Sequence, residues 1–291
     1  MTSFNRRRAK SKAALLPKQV NKQSLHRPHL EHRELARQSF RRRGIYLLPN
    51  AFTTAALFCG FYAIVMAMNL RFEHAAVAIF VAMVLDGIDG RVARLTNSQS
   101  EFGAQYDSLS DMVSFGAAPA LVVYEWSLRG LDKLGWAVAF IYCAAAALRL
   151  ARFNTNIAVV DKRFFQGLPS PAAAALVAGF VWLMDDVGVV RADLKWPAAV
   201  VTAFAGISMV MNVPFYSFKD VNFDKSVSVP VIAVFLIALA YLVVVSNPPM
   251  VLFGLFVCYG LSGYWVHFWR LLKGRPVSII ETKTDPVDEK E

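Results

Sequence analysis

Eight strongly apolar segments, each close to the length that crosses a lipid bilayer, constrain this chain more than any other feature. They run over residues 47–69, 74–94, 103–127, 134–154, 169–187, 196–212, 227–246 and 249–271. About 20 apolar residues span the hydrocarbon core, and lipid offers the backbone no water, so such segments must be helical. We therefore predict an all-α fold: a polytopic membrane bundle of eight transmembrane helices.

Composition agrees with this prediction and excludes other classes of protein. Hydrophobic residues make up 56% of the chain and charged residues only 18%, a balance too apolar for an ordinary soluble enzyme. The three cysteines lie singly inside apolar segments. They form neither a disulfide framework nor a zinc-binding spacing, so a small secreted fold and a zinc protein are poor fits.

Positive charge is concentrated at the N-terminus. Residues 1–46 hold 13 basic and only two acidic residues, so this arm carries +11, and the remaining residues carry −1, which gives the net charge of +10. We predict three parts: a basic cytoplasmic arm over 1–46, partly disordered or lying on the membrane surface; a membrane domain carrying the functional site over 47–275; and a polar tail over 276–291.

The Lys and Arg residues between the apolar segments predict the orientation. With the N-terminus in the cytoplasm, 26 basic residues fall on the cytoplasmic side and five on the opposite side. Basic residues are retained on the cytoplasmic side of membrane proteins. An even number of spans then places both termini in the cytoplasm.

Four carboxylates interrupt the apolar body near the cytoplasmic ends of the second and third segments. Asp86 and Asp89 are three residues apart, and Asp107 and Asp111 are four apart, so each pair lies on one helical face. A short link lets the two helices run antiparallel and bring the pairs together. Four converging carboxylates need a cation between them, and hard oxygen ligands suit Mg²⁺ or Mn²⁺, with two ions typical where phosphoryl groups are handled.

Two other interpretations of the carboxylates stay open from the residues alone. They can pair with Arg91, Arg94 or Arg149 as a structural ion network, or they can form a proton path in an ion-coupled transporter. The absence of an internal repeat in the sequence argues against a transporter. The spacing of the four Asp residues, together with glycine and arginine at fixed offsets, favours catalysis.

The same residues resemble the CDP-alcohol phosphotransferase family. The pattern Asp86-x2-Asp89-Gly90-x2-Ala93-Arg94-x8-Gly103-x3-Asp107-x3-Asp111 matches its signature at eight fixed positions over 26 residues. The resemblance implies that Asp86, Asp89 and Asp107 bind two divalent ions, and that Asp111 ligates metal and acts as the general base. It also implies contacts with the CDP-diacylglycerol donor from Asn50, Thr53, Gly90, Ala93, Arg94, Ser100 and Gly103.

Three further stretches resemble the serine-accepting, integral-membrane branch of that family. They cover residues 147–154, 165–174 and 212–219. The implied reaction converts CDP-diacylglycerol and L-serine into phosphatidylserine and CMP. The resemblance also implies a homodimer in the bacterial inner membrane, with the active site facing the cytoplasm and membrane lipids as partners. Glycerol 3-phosphate, inositol phosphate and choline remain alternative acceptors.

The serine zwitterion needs a cation for its carboxylate. Arg149 and Arg152 are three residues apart on one predicted helix, and arginine can grip a carboxylate with two hydrogen bonds. Asn154 and Lys219 are weaker candidates for the same site. The alternative is that both arginines simply end a span on the positive side. The basic arm carries no recognised nucleic-acid module, so we predict no nucleic-acid partner.

Overall fold

A computed structural model describes residues 49–96, 98, 100–155, 164–216 and 247–273, and every structural statement below concerns these residues. Helices make up most of this part of the chain. They are α1 (Pro49–Met68), α2 (Phe72–Leu95), α3 (Glu101–Asp111), α4 (Ala118–Trp126), α5 (Asp132–Thr155), α6 (Ser170–Asp186), α7 (Lys195–Val210) and α8 (Pro248–Leu272).

These helices coincide with seven of the apolar segments to within a few residues. The predicted segment 227–246 lies outside the described residues, as do the arm over 1–46 and the tail over 276–291, so the eight-span arrangement stays a prediction. Three helical stretches are long and apolar enough to cross a membrane by themselves, at Pro49–Met68, Leu128–Thr155 and Pro248–Arg270.

The third predicted span differs from a regular helix. Between α3 and α4 the backbone widens into a π-helix over Met112–Ala117, which begins directly after Asp111. Such insertions are rare and frequently lie at functional sites. Asp111 therefore ends one regular helix at the point where the helical register changes.

Helix α6 forms the centre of the described bundle and packs against α2, α7 and α8. Every residue from Ala172 to Val181 is buried, so this helix has no exposed face over most of its length. Its run of four alanines over 172–175 allows neighbouring backbones to approach closely, which drives helix association where water is absent. The core thus rests on small residues more than on large ones.

Helix α1 packs closely against α3 and the π-helix. The Ser110 hydroxyl donates to the Thr53 carbonyl at 3.1 Å, and the Ser114 hydroxyl donates to the Ala56 carbonyl at 3.1 Å. Gly60 lies against Ser114 so tightly that a Cβ atom there would approach the Ser114 Oγ to 2.6 Å. These contacts fix the start of α1 beside the helix that carries Asp107 and Asp111.

A short sheet adds to the predicted all-α fold. Strand β1 (Phe164–Gln166) pairs antiparallel with β2 (Pro214–Tyr216), so that Phe165 lies opposite Phe215. Gly167 follows β1 with φ of +78°, a conformation that only glycine adopts readily. The sheet ties the segment before α6 to the segment after α7, near the cytoplasmic ends that the sequence predicts.

Candidate functional site

Three of the four aspartates converge on one point. Asp86 and Asp89 lie on α2, and Asp107 lies on α3, reached through the short link between the helices. Carboxylate oxygens from all three lie within 4.8 Å of one another. At that separation two ionised carboxylates repel by roughly 3 kcal/mol or more at an effective dielectric constant of about 20. The arrangement therefore favours a bound cation.

The donor atoms fit a hard divalent ion. All three groups are carboxylates, which Mg²⁺ and Mn²⁺ prefer. The Asp107 Oδ1 atom is buried and has no hydrogen-bond partner among the described residues. A buried acceptor without a partner is costly, and a metal ion would satisfy it. Asp86, Asp89 and Asp107 can thus hold a divalent metal, and these three residues are called the metal group below.

Asp111 lies beside this group of three but is not part of it. Its side chain lies near that of Asp86, and it interacts electrostatically with Arg149. The resemblance implied three metal ligands and a fourth carboxylate, Asp111, that also ligates metal and acts as the general base. The structure groups Asp86, Asp89 and Asp107 and places Asp111 near both that group and the Arg149 guanidinium, so the role of Asp111 as ligand and base stays a prediction.

Thr53 orients one member of the group. Its hydroxyl donates to Asp89 Oδ2 at 2.8 Å, and both side chains are buried, with 4% of each residue exposed. The resemblance implied a contact between Thr53 and the nucleotide. In the structure Thr53 holds a carboxylate of the metal group, a role that outer partners of metal ligands commonly have.

The residues predicted to contact CDP surround the same end of α2 and the start of α3. Gly90 has open space where a Cβ atom would lie, and its carbonyl accepts from Arg94 Nε at 2.9 Å. Ser100 caps α3 by accepting from the Gly103 N–H at 3.0 Å, and the Asn50 side chain also lies against Gly103. Ala93 is half-buried on the same turns of α2.

The residues predicted to bind serine do not stay together. The Arg149 Nη1 atom donates to Ser170 Oγ at 2.8 Å, beside Asp111. Arg152 turns the other way and donates to the Val210 carbonyl at 3.0 Å and to Asn212 Oδ1 at 3.1 Å. The two arginines thus bond to different elements, Arg149 to α6 and Arg152 to the end of α7, and their pairing on a serine carboxylate stays a prediction.

Of Asn154 and Lys219, the two weaker candidates for binding serine, the structure describes only Asn154. Asn154 Nδ2 donates to Ser108 Oγ at 3.0 Å, next to Asp107 in the chain, so Asn154 joins α5 to α3 close to the metal group. Lys219 lies outside the described residues.

Sequence analysis missed two residues of this region, Ser170 and Tyr259. Ser170 is fully buried and bonded to Arg149, and Tyr259 of α8 interacts electrostatically with the same guanidinium. A polar residue at the start of an apolar segment was the available signal for Ser170. No spacing in the sequence relates Tyr259 to α5, since the two are joined only by tertiary packing.

Comparison with known proteins places the site within a described family. Residues 46–213 match the sequence model described as CDP-alcohol phosphatidyltransferase. A Helicobacter pylori protein named CDP-diacylglycerol–serine O-phosphatidyltransferase is 34% identical over 221 residues, which cover 75% of this chain and 90% of the relative.

Two relatives from other lineages carry the same name. A Mycobacterium tuberculosis protein is 35% identical over 207 residues, which cover 68% of this chain and 72% of the relative. A Saccharomyces cerevisiae protein is 37% identical over 139 residues, or 43% of this chain and 50% of the relative. All four aspartates lie inside the residues that the family model matches.

Proposed function

Since the chain belongs to the CDP-alcohol phosphatidyltransferase family, we propose that it transfers the phosphatidyl group of CDP-diacylglycerol to the hydroxyl of L-serine. The observation that carries the proposal is the convergence of Asp86, Asp89 and Asp107 within 4.8 Å, beside Asp111 and Arg149. The names of the relatives from bacteria and yeast support serine as the acceptor.

The reaction exchanges one phosphorus–oxygen bond for another. The serine hydroxyl oxygen bonds to the phosphorus that carries diacylglycerol, the bond from that phosphorus to the bridging pyrophosphate oxygen breaks, and CMP leaves with that oxygen. The hydroxyl proton goes to a base. Asp111 is the candidate, because it is a carboxylate adjacent to the metal group and to the residue that we assign to the acceptor.

Asp86, Asp89 and Asp107 would hold Mg²⁺ or Mn²⁺, with two ions the expectation for phosphoryl chemistry. When bound, such ions neutralise the negative charge of the pyrophosphate and of the leaving group. Thr53 keeps the Asp89 carboxylate in its ligating orientation. Arg94 adds a positive charge one turn beyond Gly90, where the open surface of α2 leaves room for the donor.

Arg149 is the residue that we assign to the serine carboxylate. Its Nε atom is buried and has no hydrogen-bond partner among the described residues, and its guanidinium lies next to Asp111. A carboxylate bound there would bring the serine hydroxyl toward the base. Arg152, whose bonds go to the end of α7, is better explained as a structural link between α5 and α7.

The remaining parts of the proposal concern the whole protein. We propose eight transmembrane helices, both termini and the active site on the cytoplasmic side of a bacterial inner membrane, and a homodimer. The distribution of 26 basic residues against five supports the orientation.

Purified protein supplied with CDP-diacylglycerol and labelled L-serine tests the proposal. We expect labelled phosphatidylserine and an equal amount of CMP, with no product after removal of divalent ions and full recovery on addition of Mg²⁺ or Mn²⁺. The Asp111→Asn variant should lose activity at least about a hundredfold, as expected for a general base, while binding the donor. Full activity of Asp111→Asn would remove the base assignment.

A further inference from the structure

One nitrogen atom of the buried Arg149 guanidinium has a hydrogen-bond partner, and another has none among the described residues. Its Nη1 atom is held by Ser170 Oγ at 2.8 Å, and Ser170 has no exposed surface. Its Nε atom is buried without a hydrogen-bond partner among the described residues. Because a buried charged donor without a partner is costly, this edge of the guanidinium indicates an anionic ligand.

Helix α8 contributes a second polar group to the same place. Tyr259 and Asp111 each interact electrostatically with Arg149, so the guanidinium lies near both a phenol and a carboxylate. The phenol comes from a helix that lies beyond the residues matched by the family model, which end at 213. The polar surroundings of Arg149 therefore include a residue outside the part of the chain that the family model matches.

Packing fixes the ring of Tyr259. Its centroid lies 5.8 Å from that of Phe215, which is fully buried on β2. Gly263, one turn further along α8, makes room for the same phenylalanine, since a Cβ atom there would collide with the Phe215 ring. Strand β2 thus holds the ring of Tyr259 in place through Phe215.

We propose that Tyr259 determines the acceptor specificity of the site, its hydroxyl binding the α-carboxylate of serine together with the Arg149 guanidinium. This inference rests on the proposed function. A carboxylate has two oxygens, and the Nε edge of the guanidinium can donate hydrogen bonds to them side-on. The Tyr259 hydroxyl, on α8, can donate to one of the same two oxygens. An alcohol without a carboxylate leaves the buried Nε atom of Arg149 unsatisfied, and an unsatisfied buried donor is a strong basis for rejecting a close analogue.

The Tyr259→Phe variant tests the role of the hydroxyl, because it keeps the ring that packs on Phe215. Hydrogen bonds to charged groups are among the stronger ones, so we expect the KM for L-serine to rise about tenfold with the KM for CDP-diacylglycerol unchanged. The preference for L-serine over serinol, in which a hydroxymethyl group replaces the carboxylate, should fall by the same factor.

Tyr264→Phe is the matched control. Tyr264 is also on α8, its ring also contacts Phe215, and its hydroxyl bonds Ser208 at 2.6 Å. We expect this variant to keep the wild-type KM for serine. An unchanged serine KM in Tyr259→Phe, or an equal rise for both substrates, would overturn the inference.

Unmodified protein gives a second test that does not depend on the folding of a variant. If serinol serves as acceptor as well as L-serine does, the carboxylate is not recognised and the inference is wrong. Failure of the two proposals can be told apart. Wild-type protein that releases no CMP with serine contradicts the proposed function, whereas wild-type activity with an unaffected Tyr259→Phe variant contradicts the role of Tyr259 alone.

Discussion

At the scale of single residues, the site depends on side chains that hold its charged groups in place. Thr53 reaches from α1 to Asp89 on α2, and Ser170 reaches from α6 to Arg149 on α5. Neither side chain carries charge, and both are buried. Each one fixes the orientation of a charged group whose chemistry needs a defined direction.

Replacement of Thr53 by valine should weaken metal binding without altering the fold. The variant keeps the shape of the side chain and removes the donor to Asp89 Oδ2. Loss of such a partner typically lowers metal affinity by about 10- to 100-fold. We expect a corresponding rise in the Mg²⁺ concentration needed for half-maximal activity.

Thr53→Ser retains the hydroxyl and should behave as wild type. Thr54→Val is the neighbouring control, because Thr54 contacts Tyr106 rather than a metal-group carboxylate. If Thr53→Val reaches half-maximal activity at the same Mg²⁺ concentration as wild type, the hydrogen bond from Thr53 to Asp89 does not contribute to metal binding.

Residue spacing predicted the convergence of Asp86, Asp89 and Asp107, because positions three and four apart share a helical face and the link is short. Spacing did not predict the hydrogen-bond partners of Arg149 and Arg152. Both lie on the same helix as predicted, but a long arginine side chain can point toward whichever acceptor lies within its reach. Arg149 bonds Ser170 and Arg152 bonds the end of α7, and neither partner is evident from the sequence of α5.

At the scale of secondary structure, close packing between α1 and the π-helix supports the site. Gly60→Ala should destabilise the protein, because the new Cβ atom would lie 2.6 Å from Ser114 Oγ and 2.7 Å from its Cα. Overpacking of this kind costs about 1–3 kcal/mol. We expect a lower unfolding temperature in detergent and reduced activity, since Ser110 and Thr53 lie on the same contact.

Gly254→Ala on α8 provides the comparison, because nothing lies within 4 Å of the Cβ position there. Alanine is favoured over glycine inside a helix by roughly 0.5–1 kcal/mol, so this variant should be as stable as wild type or more so. Equal stability of Gly60→Ala and Gly254→Ala would mean that α1 can move away from the π-helix at little cost.

Two glycines outside the helices provide a second comparison, Gly167 between β1 and α6 and Gly188 directly after α6. Gly167 and Gly188 both have positive φ, of +78° and +73°. A Cβ atom at Gly167 would also collide with the Met209 carbonyl, whereas one at Gly188 would meet nothing. Gly188→Ala should cost only the backbone strain of about 1–2 kcal/mol.

Gly167→Ala should cost more than Gly188→Ala and should also raise the KM for serine, because the sheet holds Phe215 against Tyr259. Thermal unfolding and serine kinetics of the two variants check this. Equal destabilisation by the two substitutions would argue that the Met209 carbonyl yields to the new side chain.

Helix positions followed directly from the apolar segments, since lipid permits little else. The π-helix and the two-stranded sheet could not be predicted from the apolar segments. The apolar pattern runs without a break across Met112–Ala117, and a widened turn has no composition of its own. The strands are three residues each and are separated by about 50 residues in the chain, so only the folded arrangement brings them together.

At the scale of the whole molecule, the account describes a membrane enzyme that works on a lipid donor and a water-soluble acceptor. The residues that we assign to the donor lie on α1, on α2 and at the start of α3, and those that we assign to the acceptor lie on α5, α6 and α8. Catalysis then requires both groups of helices to meet at Asp111. Its position next to both Asp86 and Arg149 satisfies that requirement.

The orientation leads to a labelling prediction. In a protein whose Cys59, Cys143 and Cys258 are replaced by alanine, a cysteine at Thr96 should react with an impermeant thiol reagent only from the cytoplasmic side. A cysteine at Ala192 should react only from the opposite side. Both positions are exposed, Thr96 directly after α2 and Ala192 in a short 3-10 turn between α6 and α7. Labelling of Thr96→Cys from outside would reverse the proposed topology.

The identity of the acceptor is the central claim, and competition between acceptors tests it most directly. Purified protein with CDP-diacylglycerol and Mg²⁺ is supplied with L-serine, glycerol 3-phosphate, inositol phosphate and choline, separately and in equal mixture, and CMP and lipid products are measured. The account predicts CMP release with L-serine and phosphatidylserine as the dominant product of the mixture. Release of CMP with one of the other alcohols, and none with L-serine, would contradict it.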